Sequence, residues 1–125
     1  MSVSSRRHAV LIGLVLTVGS LLSTVGWAAA PAAVGHSPDR GEELGIAQPI
    51  EILFDQPMDR ATVEHAFSLN PSHATEFHWA DDRTLRVLPV AEWTRATTYD
   101  VLIATDAASA LGERLVDPLA VSVTT

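Results

Sequence analysis

The stretch "IEILFDQPMDRATVEHAFSL", residues 50–69, changes its periodicity twice and so decides how the chain is read. In its first five residues Ile50, Ile52 and Phe54 alternate with Glu51 and Leu53, the period of a strand with one buried face. Pro57 has no N–H to give to a ladder, so that strand ends near it. Asp59 then stands where a helix N-cap belongs, and Val63, Ala66 and Phe67 recur at helical spacing, which predicts a short helix over about 60–66 that lids one end of the fold. The period returns to two at once in "FSL", where Phe67 and Leu69 share a face. Two carboxylates, Asp55 and Asp59, flank the turn; a metal site or an acid/base pair has to be weighed there against a plain chain reversal.

Working outward, the same two-residue period recurs to the C-terminus. Phe77 and Trp79 share a face in "FHW", with His78 pointing away; Leu85 and Val87 do so in "LRV", Tyr99, Val101 and Ile103 in "YDVLI", and Leu119, Val121 and Val123 in "LAVSV". Breakers separate the runs at Pro49, Pro57, Asn70-Pro71, Asp81-Asp82, Pro89, Gly112 and Pro118. Short strands with turn signals between them predict an all-β fold, a sandwich or barrel of antiparallel sheets. Asp81-Asp82 is expected to close a tight hairpin through side-chain to backbone bonds. In "TDAASALGERL", Gly112 supplies backbone freedom while Leu111 and Leu115 are expected to tuck under the loop. Tyr99, following "RATT", is placed for a hydroxyl that ties back to upstream backbone. Trp93 is expected to plug the sandwich end rather than to stack on a sugar.

The N-terminus is an address. Arg6 and Arg7 precede an uncharged run from Ala9 to Ala30, whose 22 residues would span about 33 Å as a helix, enough for a hydrocarbon core of about 30 Å. Uncut, the run is a membrane anchor with Trp27 at its outer interface; small residues at Gly26 and Ala28, or at Ala28 and Ala30, equally fit signal-peptide cleavage. Both readings stand, and in both the basic start keeps the N-terminus inside and sends the remainder out of the cytoplasm. The expected organisation is therefore residues 1–33 as signal peptide or transmembrane anchor with a short linker, and residues 34–125 as one β-sandwich domain.

Composition narrows the partners. Of 125 residues, 15 are acidic and 8 basic; with Arg6 and Arg7 set aside the balance is 15 to 6, formally −9. No lysine occurs at all, which argues against a nucleic-acid partner, since phosphate neutralisation needs clustered cations. The absence of cysteine excludes disulfides, thiol nucleophiles and cysteine-based zinc sites.

From about Gly35 to Thr125 the chain resembles the bacterial Ig-like domains of the S-layer-protein (SbsA Ig-like) type. The resemblance is carried by "SPDRGEELGIAQPIEILFDQPMDRATV", "FSLNP", "FHWADDRTLRVLPVAEWTRATTYDVLI", "TDAASALGERL" and the closing "VSVTT", five short motifs in the family's order. The late loop departs from the family's Asp-x-x-Gly-Asn pattern, lacking the Asn and running longer. The resemblance implies an Ig-like antiparallel β-sandwich of about seven strands, used outside the cell as a spacer, stalk or adhesion module without catalysis.

Sharper chemistry competes with that expectation at several residues. Asp55, Asp59, Asp81, Asp82 and Asp106 fall in loops and could supply oxygens to calcium, yet no D-x-D-x-D spacing gathers them, which favours capping and turn roles. The chain is also similar to the periplasmic copper-binding CopC type, whose resemblance would place Asp106 at an acidic ligand position. No histidine follows Asp106, and His36, the nearest candidate for an N-terminal ligand, lies within the first strand. His65, His73 and His78 are expected on solvated polar faces. No G-x-S-x-G elbow, H-E-x-x-H helix or glycine-rich phosphate loop occurs, and Glu51, Glu64, Glu76 and Glu92 are not paired as an acid and a base. The sequence therefore assigns no catalytic, cofactor-binding or metal-ligating residue, predicts no enzyme, and leaves a periplasmic metal-binding sandwich as the alternative. Expected partners are the membrane, through the uncut N-terminal segment, and a protein at the cell envelope.

Overall fold

The computed structural model describes residues 29–125; the expected N-terminal helix and cleavage points up to Ala28 lie outside them. Seven strands and one short helix follow in order: β1 Ala33–Ser37, β2 Ile50–Phe54, α1 Arg60–Ala66, β3 Phe67–Asn70, β4 Thr75–Asp81, β5 Thr84–Pro89, β6 Thr98–Ile103 and β7 Leu119–Thr124. They form two antiparallel sheets, a four-stranded one in the order β1-β2-β5-β4 and a three-stranded one in the order β3-β6-β7. The expectation of an all-β antiparallel sandwich with about seven strands holds. Among the described residues, no helix is long and apolar enough to cross a membrane.

Strand parity is what builds the interior. Ile50, Ile52 and Phe54 on β2, Leu85 and Val87 on β5, and Tyr99, Val101 and Ile103 on β6 are all buried, while the intervening Leu53 and Leu102 face outward. Register keeps these faces aligned: Ile52 lies opposite Leu85, Ile50 opposite Val87, and Val101 between Leu69 and Val121. A one-residue slip of any of these strands would turn its whole apolar set to water, so the pattern fixes the pairing. On the β3/β4 side Phe67 and Phe77 close the gap between the sheets edge to face, with ring centroids 5.2 Å apart. Trp79 and Val121, by contrast, are only half-buried, because β4 and β7 are edge strands.

The topology sorts the loops onto two poles. β1 begins opposite Phe54, the last residue of β2, and β7 ends at Thr124 opposite Thr98, the first residue of β6. The chain therefore enters at one pole, here called proximal, and reaches Thr125 at the other, distal pole. The proximal pole gathers residues 29–32, the 55–59 turn, the N-terminus of α1, the 81–83 hairpin and the 104–118 loop. The distal pole gathers 38–49, 71–74, 89–97 and Thr125.

Candidate functional site

At the proximal pole the incoming chain is clipped to the domain. The backbone N–H of Ala32 donates to the Asp55 carboxylate at 3.0 Å, the N–H of Asp55 donates to the Ala32 carbonyl at 3.0 Å, and the Gln56 amide donates to the Ala29 carbonyl at 3.0 Å. Pro31 is buried between these ties. Asp55 thus has a mechanical role, fastening the chain that precedes β1.

Asp59 corrects the sequence reading. It occupies the N-cap position of α1 with extended backbone, but its side chain makes no cap hydrogen bond. Thr62 does the tying instead: its hydroxyl donates to the Asp59 carbonyl at 2.8 Å and accepts from the N–H of Ala108 at 2.9 Å. The reason is tertiary, since the Ala108 amide comes from the late loop 46 residues away and needs an acceptor when buried. Asp81 behaves as expected and accepts from the N–H of Arg83 at 2.8 Å; that bond, with a second from Thr84, holds its carboxyl below the usual range. Asp82 turns away to pair with Arg60 at 2.8 Å, and the Arg60 guanidinium lies 5.6 Å above the Trp79 ring, whose N–H donates to Glu64 at 2.8 Å.

The late loop is closed by a residue the sequence did not single out. Ser109, 1% exposed, accepts on its hydroxyl from the N–H groups of Leu111 and Glu113, both at 3.2 Å, while Gly112 turns the chain at φ +88°. Met58, also buried, bridges to Ser109 across the pole. Leu115 is buried as expected, but Leu111 is 65% exposed, a correction: the Ser109 turn directs it outward.

At the distal pole Trp93 is the plug that was expected, 2% exposed, with its N–H donating to the Gln48 carbonyl at 2.7 Å. The Tyr99 hydroxyl accepts from the N–H of Thr94 at 2.9 Å, the upstream tie anticipated from "RATT". His73 is a further correction. Instead of standing in solvent, its ring packs 4.9 Å from Trp93 and 5.8 Å from Tyr99, and Nε2 lies 2.8 Å from the Ala91 carbonyl. No local pattern signals this, because its partners come from the other side of the β4–β5 hairpin. Thr125 is fastened here as well, donating its hydroxyl to the Thr94 carbonyl at 2.7 Å and accepting from the N–H of Thr97 at 3.0 Å.

The residues weighed as ligands are not brought together. His36 lies within β1 with Nδ1 2.9 Å from the Pro38 carbonyl, Asp106 lies in the loop after β6, and His65 and His78 are exposed on α1 and β4. Among the described residues, no three histidine or carboxylate side chains converge in a way that could hold a metal ion. Open features among the described residues include a trough at the start of β1 and β7, lined by Ala30–Ala33 and Leu115–Leu119, and further depressions beside α1 and along β1 and β7.

The family model for the bacterial Ig-like domain matches residues 28–125, most of the chain. The chain belongs to this family. As a bacterial Ig-like domain it is 34% identical over 71 residues to L,D-transpeptidase 2 of Mycobacterium tuberculosis (strain CDC 1551 / Oshkosh), a match that covers 54% of the chain but only 17% of that protein. Among solved structures it superposes on the L,D-transpeptidase LdtMt1 in complex with imipenem at 24% identity and a TM-score of 0.52, covering 70% of this chain and 39% of that one. It superposes on the S-layer protein rSbsC(31-844) at 14% identity and a TM-score of 0.56, covering 82% of this chain and 14% of that one. At these identities the structural likenesses show the fold of the Ig-like domain alone.

Proposed function

We propose that this bacterial Ig-like domain is a non-catalytic, extracytoplasmic module of the cell envelope, a spacer that holds whatever precedes Ala29 and whatever follows Thr125 at opposite ends. One observation carries the reading: both chain ends of the described domain are clipped, Ala29 and Ala32 by Gln56 and Asp55 at one pole, Thr125 by Thr94 and Thr97 at the other. Fastened ends transmit position; flexible ones do not. The small share of L,D-transpeptidase 2 that is matched means that this relative's activity is not carried over.

The finer parts of the proposal rest on sequence. The S-layer-protein subtype rests on the order of the five motifs, and the extracytoplasmic location on Arg6 and Arg7 before the uncharged run. Anchoring by that run is the form of the proposal in which the spacer has a fixed base, and a protein at the envelope is the partner such a spacer would present or separate. A reporter enzyme that works only outside the cytoplasm, fused after Thr125, tests the location: activity is expected, and a fusion active only with a cytoplasmic reporter would overturn the reading.

A further inference from the structure

The proximal pole carries two apolar side chains turned largely to solvent, Leu111 at 65% exposure and Val116 at 74%, the two most exposed large hydrophobic residues among those described. Both sit beside the incoming chain. Val116 lines the trough with Ala30–Ala33, and Leu111 follows Ala110, whose N–H donates to the Pro57 carbonyl at 3.0 Å, next to the Gln56 that holds Ala29.

What lies over this pole follows from where the preceding chain ends. The uncharged run extends to Ala30, but Ala29 is already hydrogen-bonded to the domain, so residues 9–28 are what remains for a span, and the chain that joins them to the fold is short. Those 20 residues, at about 1.5 Å each, would span about 30 Å, and a run that crosses a bilayer there would bring the proximal pole close to its surface.

We propose that the domain stands proximal pole down on the bilayer, with Leu111 and Val116 inserted at the headgroup boundary of a zwitterionic lipid surface. The choice of headgroup comes from charge. The loops of the same pole carry seven acidic residues, Asp55, Asp59, Asp81, Asp82, Asp106, Glu113 and Asp117, against Arg60, Arg83 and Arg114, and this excess would push the pole away from an anionic surface when salt is low. The proposal rests on the run being an anchor. It adds a second, peripheral contact that sets the orientation of the domain rather than its retention.

The chain has no cysteine, so single labels are specific. Full-length Leu111→Cys, Val116→Cys and, at the distal pole, Glu92→Cys would each carry an environment-sensitive fluorophore and be reconstituted into phosphatidylcholine vesicles, with flotation measured on the same samples. Each position is exposed, and an unchanged urea midpoint shows that the variant folds. Blue-shifted emission protected from an aqueous quencher at 111 and 116, with solvent-like emission at 92, is the expected result, and the shift should shrink when phosphatidylglycerol replaces part of the lipid at low salt. Floating protein with solvent-like emission at 111 and 116 overturns the contact while leaving the anchor intact. Protein that fails to float removes the anchor, and the orientation falls with it. A shift undiminished on the anionic vesicles would overturn the headgroup preference.

Discussion

Thr62 shows how a residue's role can be set by a partner far along the chain. Read locally, "MDRATV" puts the cap on Asp59, and the geometry of the backbone agrees; only the Ala108 amide, supplied by the late loop, turns Thr62 into the group that joins α1 to that loop. Thr62→Val keeps the shape but leaves a buried N–H without an acceptor, which should cost about 1–3 kcal/mol in urea unfolding. Asp59→Ala should stay within about 0.5 kcal/mol, because no cap bond is lost. A larger loss for Asp59→Ala than for Thr62→Val would reverse the assignment. Asp81 gives a pH-dependent counterpart. Its carboxyl is held below the ordinary range in the fold by the Arg83 and Thr84 bonds, so its contribution is present above the unfolded-state value and fades as pH falls through the folded one. Asp81→Asn should therefore be less stable than the parent at neutral pH, with the difference closing on acidification into the carboxylate range; a difference that grew with acid would contradict the sign.

Among the elements, the strands were the most legible part of the sequence, because a buried face imposes alternation that survives without tertiary information. β2 carries the sharpest test. Ile52, 1% exposed, and Leu53, 41% exposed, are chemically near-identical neighbours on opposite faces. Ile52→Ala should cost about 2–5 kcal/mol and Leu53→Ala less than about 1 kcal/mol, measured by chemical denaturation; equal losses would mean that parity does not organise the core. The helix was legible for a different reason, since Pro57 and the Val63/Ala66 spacing bracket it. β1 was less so: Gly35 and a register shift between Ala33 and Gly35 interrupt any period in "AVGHS". The loops were least legible. His73 meets Trp93 and Tyr99 only after the β4–β5 hairpin folds back, and Ser109 organises its turn from a sequence, "DAASALG", in which nothing marks one small residue as buried. No arrangement of site residues was read from the sequence, and of the carboxylates and histidines considered as ligands Asp55, Asp81, Asp82, His36 and His73 serve singly, as ties.

At the scale of the whole domain, the two clipped poles are what the proposed spacer role requires of a small sandwich. β7 alone, 6 residues at about 3.3 Å each, sets the poles roughly 20 Å apart before their loops are added. Rigidity depends on the ties at Asp55 and Gln56 and on Thr125, each of which joins a chain end to a neighbouring loop rather than to its own strand alone. Loosening either pole should leave the core intact while freeing the end. In a spacer that defect would appear as lost distance control with little lost stability.

The most direct measurement is the distance between spin labels on Ala32→Cys and Thr94→Cys, one at each pole, in the full chain. A single narrow distance, longer than the roughly 20 Å rise of β7, is predicted, and it should broaden when Asp55→Ala and Gln56→Ala release the incoming chain. A broad distribution in the parent, or a distance too short to separate the poles, would contradict the account of this domain as a spacer with fixed ends.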